Sequence, residues 1–72
     1  MKLYHVKFNG EVAAFVTLKS AQNYAREIAL RFINEAGFDD MSSKSLDDIL
    51  KAASEENFHV SVVENDSPFF LP

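Results

Sequence analysis

The side chains of this chain best suited to chemistry are two histidines, His5 and His59, the nearby Ser61, and three acidic doublets, Asp39-Asp40, Asp47-Asp48 and Glu55-Glu56. A nucleophilic serine needs an imidazole base within hydrogen-bond reach and donors for the developing oxyanion. Ser61 shares an outward strand parity with both histidines, but a flat strand surface supplies no oxyanion hole. A zinc site needs at least three protein ligands. Only Glu11 offers a third on that face, and the spacing matches no metal motif. The carboxylates fall on polar helix ends, where nothing desolvates one member of a pair into a general acid. Gly10 and Gly37 form no phosphate-binding loop. The expectation is a protein that is not an enzyme and uses no cofactor or metal.

The doublets suggest a different chemistry, charge presented to a partner. Asp39-Asp40, Asp47-Asp48 and Glu55-Glu56 recur every eight residues. Eight helical residues advance about 12 Å and turn about 80° around the axis. The last two doublets on one helix, with the first in the loop before it, would trace a spiralling line of charge that imitates a phosphate track. Asp47 and Asp48 also have a structural reason to be acidic, because the first turn of a helix favours anions. Glu55 and Glu56, at the other end, have no such reason. The competing reading is a solvated face that keeps a small protein soluble.

Charge is distributed unevenly. Residues 1–36 carry five basic and three acidic side chains, residues 37–72 two and eight, for a net −4. A net acidic surface repels phosphate backbones, so direct nucleic-acid binding is disfavoured. A basic partner protein, such as one that itself binds nucleic acid, would be attracted. No window reaches the 18 or so apolar residues of a membrane span, and the alternating N-terminus reads as a strand and not as a signal peptide. The absence of cysteine excludes a disulfide framework and suits a reducing compartment. A cytoplasmic protein without membrane contact is expected.

The elements that must position these residues begin with Asn9-Gly10, which suits a two-residue hairpin turn between strand-like runs Lys2–Phe8 and Glu11–Leu18. Alternation places Tyr4, Val6 and Phe8 on one face of the first strand, and Leu3, His5 and Lys7 on the other. In the second strand Val12, Ala14, Val16 and Leu18 share a face, with Glu11, Ala13, Phe15 and Thr17 opposite. Ser20 is the expected N-cap of a first helix whose stripe runs Ala21, Ala25, Ile28, Ala29, Phe32 and Ala36 and which stops at Gly37. Leu30 and Ile33 lie off that stripe and are expected to meet the second helix. After a connection, with Phe38 or Met41 plugging the gap beneath it, Ser45 and Asp48 resemble a capping box. The second helix carries Leu46, Ile49, Leu50 and Ala53 on one face and ends near Glu56-Asn57. Phe58–Glu64 reads as a third strand, with Phe58, Val60 and Val62 opposing His59, Ser61 and Val63.

The predicted fold is α+β, a two-layer ββααβ arrangement with a three-stranded, mainly antiparallel sheet and two helices on one face. It forms a single small domain over residues 1–72 with an irregular tail at 65–72. The apolar run Val12–Val16 argues for a central second strand; the alternative puts the first strand in the middle with the third beside it in parallel. The face away from the helices would show Leu3, His5, Phe15, His59 and Val63, on which Phe15 flanked by Leu3 or Val63 would form a modest apolar patch suited to a partner or to a second copy of the chain. Phe69 and Phe70, between Pro68 and Pro72, either fold back onto the core or serve as a docking segment. Short acidic single-domain chains are common among phage and prophage accessory proteins that inhibit host machinery. That likeness is one of composition alone. The expected function, in the absence of any catalytic constellation, is that of a small binding or regulatory protein acting by protein–protein contact, with inhibition of a host protein through an acidic surface as the form the analogy suggests. The alternative is a homodimeric structural module.

Overall fold

In the computed structural model, which describes residues 2–66, the elements follow the order β1 (Lys2–Phe8), β2 (Glu11–Phe15), α1 (Leu18–Glu35), α2 (Leu46–Glu55) and β3 (Val60–Asp66). The fold is α+β in ββααβ order. Its three strands are antiparallel in the order β2-β1-β3, and both helices pack against the sheet.

Asn9 (φ 49°) and Gly10 (φ 79°) both take the left-handed conformation that the tight turn requires. A two-residue turn makes the residues flanking it direct partners, and Phe8 indeed pairs with Glu11. Every facing pair in the hairpin follows from that: Val6 with Ala13, Tyr4 with Phe15, His5 with Ala14, Lys7 with Val12. Directly opposed residues share a face. Phe15 therefore lies on the helix side with Tyr4 and Val6, and the expected orientation of β2 is inverted.

β1 is the central strand, not β2, and β3 runs antiparallel to it, with Val62 opposite Val6 and Val60 opposite Phe8. The apolar run in β2 does not mark burial. It sits at a sheet edge, where Val12 is 61% exposed and Val16, just beyond the strand, 65%.

Helix α1 begins three residues earlier than expected. Thr17, in extended conformation, is its N-cap and accepts a hydrogen bond from the Ser20 backbone N–H; its hydroxyl also donates to the Ser20 side chain. Both residues suit a cap, and the earlier one is used. Ala21, Ala25 and Ala29 are buried, which lets the helix lie close to the sheet, and Ile33 completes the buried stripe. Ile33 is thus a core residue, whereas Ala36 is exposed and Ile28 and Phe32 are only half-buried. Ser45 caps α2 by accepting from the Asp48 N–H, as expected, and Ile49 and Ala53 face the core.

Both helices end in the same way. Gly37 (φ 86°) follows α1, and the N–H groups of Gly37 and Phe38 donate to the carbonyls of Asn34 and Ile33. Asn57 (φ 66°) follows α2, and the N–H groups of Asn57 and Phe58 donate to Ser54 and Ala53. These are paired Schellman stops, which satisfy terminal carbonyls and fold the next side chain back over the last turn. They set Phe38 over Ile33 and turn Phe58 towards Phe32, where the two rings stack with centroids 4.4 Å apart.

Candidate partner-binding surfaces

The two helix C-termini and the connection between them enclose a groove of about 320 Å³ lined by Ile33, Phe38, Asp39, Met41, Ala52, Glu55 and Glu56. Its floor is apolar and its rim is acidic. Each wall has a local cause. Ile33 comes from the last turns of α1, and Phe38 is folded over it by the Schellman stop, leaving that residue 48% exposed. Met41 packs against the core beneath the connection, so of the two expected plugs it is Met41 that fills the gap. Ala52 and the glutamates come from the C-terminal turn of α2.

The connection is held in place by its own polar contacts. The Asp40 carboxylate accepts from the Ser42 N–H (3.0 Å) and hydroxyl (3.1 Å). From α1, the Arg26 guanidinium donates to the carbonyl of Lys44 at 2.9 Å and also to that of Ser42. Lys44 N–H closes a turn onto Met41 O at 2.9 Å. Arg26 thus acts as a clamp on the loop that carries Phe38, Asp39 and Met41, a role its sequence position does not announce.

The three doublets have separate environments. Asp40 is committed to the loop turn, and Asp47 and Asp48 occupy the first turn of α2, where the macrodipole favours them. Asp39, Glu55 and Glu56 share the groove rim, and among the described residues none of the three forms an ion pair. The doublets accordingly do not form one continuous track: the first and third converge, and the second stands apart. Glu55 and Glu56 lie against the helix dipole, with no basic residue in the last turn to offset them.

The sheet face away from the helices carries Leu3, His5 and Lys7 from β1, Val12 and Ala14 from β2, and Ser61 and Val63 from β3. Phe15 is not part of it. Its ring packs on Tyr24 of α1 at a centroid distance of 5.1 Å, with Phe8 on the same tyrosine at 5.9 Å. Val12 takes its place as the apolar residue that β2 presents. His59 precedes β3 instead of lying within it, and His5 faces Ala14 and Val63. His59 lies four positions before Val63, about 13 Å along an extended chain, so the histidines are not neighbours. Phe69 and Phe70 lie outside the described residues.

Among the described residues no helix is long and apolar enough to cross a membrane. No family model, curated protein or solved structure matches this chain.

Proposed function

We propose that this chain is a small non-enzymatic binding protein that acts by protein–protein contact, and that the acid-rimmed groove at the helix C-termini is its docking site. The observation that carries this reading is the placement of Glu55 and Glu56. Carboxylates at a helix C-terminus oppose the macrodipole, and unpaired like charges beside Asp39 repel one another. Stability alone does not account for two such glutamates beside a third carboxylate in a groove that also exposes Phe38. A basic partner would turn each of these unfavourable terms into a favourable one. The reading includes a cytoplasmic setting and, by the compositional analogy with phage and prophage accessory proteins, inhibition of a host protein as the consequence of contact.

The test is a charge-matched comparison. E55K/E56K and D47K/D48K change the net charge equally, yet only the first pair touches the groove. Immobilised wild-type and variant chains are exposed to lysate of the native cell or host, and retained proteins are compared. A partner kept by D47K/D48K and lost by E55K/E56K supports the groove. A partner lost equally from both, or from neither, contradicts it.

A second reading, self-association through the open sheet face, is favoured by Leu3, Val12, Ala14 and Val63 lying together away from the helices. Three strands spaced about 4.8 Å apart, rising about 3.3 Å per residue, span only about 300 Å². A standard interface buries about 800 Å² per partner, so this face ranks second. Equilibrium sedimentation decides it: a mass above the monomer that V12K/V63K abolishes would favour the dimer.

A further inference from the structure

Resting on the docking role given to the groove above, we infer the chemistry of its occupant: a linear protein segment that inserts one large apolar side chain beside one or more Lys or Arg residues. The groove's size sets the apolar part. At about 320 Å³ it lies at the lower end of the range for small-molecule sites, with room for one or two large side chains and not for a whole helix face. Ile33, Phe38, Met41 and Ala52 provide apolar walls for that side chain. The acidic lining sets the basic part, since Asp39 on the connection and Glu55 and Glu56 on the end of α2 line the groove without ion-pair partners among the described residues. The site is also formed in advance. The Schellman stop after α1, the Asp40 turn and the Arg26 clamp hold Phe38, Asp39 and Met41 before any partner arrives, which reduces the ordering penalty of binding.

The same geometry disfavours occupation of a nucleic-acid groove by phosphate imitation. That role needs carboxylates along a ridge, whereas here Asp40 is used by the loop, Asp47-Asp48 stand apart and the remaining three line a groove together with Ile33, Phe38, Met41 and Ala52. An apolar anchor with basic neighbours satisfies both parts of the site at once.

The experiment is selection of a random linear peptide library against the intact chain near physiological salt, followed by amide-shift mapping of enriched peptides. The expected peptides place a large apolar residue within one helical turn of Lys or Arg and shift the amides of Ile33, Phe38, Ala52 and Glu55. Their binding falls about ten-fold or more on F38S, from loss of apolar contact. It falls further with added salt and on E55K/E56K. No enrichment, peptides without basic residues, or shifts confined to the open sheet face would overturn the inference. Because Phe38 is half-exposed, F38S is expected to fold, and the wild-type shift map tests the site without any variant. If the lysate comparison localises a partner to the groove while the library returns acidic or purely apolar peptides, the docking site stands and this occupant is wrong. If both fail, the functional reading falls with it.

Discussion

Neutralising Glu55 and Glu56 should make the protein more stable. Helix α2 is ten residues long, its last residue is Glu55, its C-cap is Glu56, and no basic side chain lies in the final turn. An exposed charge of the wrong sign at a helix end costs about 0.3–1 kcal/mol at low ionic strength. Gln has nearly the helix propensity of Glu, so E55Q/E56Q removes the charge and little else. Summed over both positions, the gain is about 1 kcal/mol, and relief of repulsion from Asp39 across the groove has the same sign. For a domain of this size 1 kcal/mol moves the melting temperature by about 4–8 °C. The control is D47N/D48N, which removes favourable acids from the first turn and should lower stability by a similar amount. Thermal and urea unfolding at low salt measure both, and both effects should shrink towards 1 M salt, where the Debye length is about 3 Å. If E55Q/E56Q is unchanged or less stable, the glutamates have a structural role and the case for a functional rim fails.

Four further outcomes test the scaffold. Gly10→Val should lower stability by about 1–2 kcal/mol, because a β-branched residue resists the φ of 79° in the hairpin; an unshifted urea midpoint would refute this. Asn57→Ala should lower it by about 1 kcal/mol while Asn57→Gly leaves it equal or higher, since only the left-handed φ of 66° is at issue; equal losses from both would point to a side-chain contact. Ile49→Ala, in a fully buried position, should cost about 2–5 kcal/mol, most of what a domain this small possesses, so circular dichroism should show a largely unfolded chain. Arg26→Met should leave the sheet amides unshifted while hydrogen exchange quickens at Lys44, whose N–H closes the loop turn; unchanged exchange there would show that the loop holds without its clamp.

The hairpin, both helices, the Ser45 cap and the stop at Gly37 are legible in the residues because each depends on local chemistry: left-handed φ, a hydroxyl acceptor, 3.6-residue spacing. The orientation of β2 was also legible, but from a different signal. Val12, Ala13, Ala14, Phe15 and Val16 are apolar on both parities, so alternation cannot choose a face. The two-residue turn can, because it pairs Phe8 with Glu11 and so sends Phe15 inward with Tyr4. Taken as a fully buried run, the same segment points to a central strand, yet a short strand beside a tight turn is equally at home on an edge, where it lies.

The groove was out of reach because it forms where two chain segments converge. Asp39 and Glu55 are sixteen residues apart, and nothing in their spacing indicates that both helices stop at the same end of the molecule. Arg26 looks like one more surface charge until its guanidinium is found on the carbonyls of Ser42 and Lys44, since a backbone acceptor leaves no trace in residue type. Asn57 carried a usable hint, being one of the few non-glycine residues at ease in the left-handed region, and it marks the stop that turns Phe58 onto Phe32.

The most direct test of groove docking is the side-by-side capture with E55K/E56K and D47K/D48K, both verified as folded by circular dichroism. The account predicts a retained partner on wild type and D47K/D48K and its loss on E55K/E56K, with retention on wild type weakening as salt is raised. Equal retention by both variants, or equal loss from both, would contradict docking at the groove.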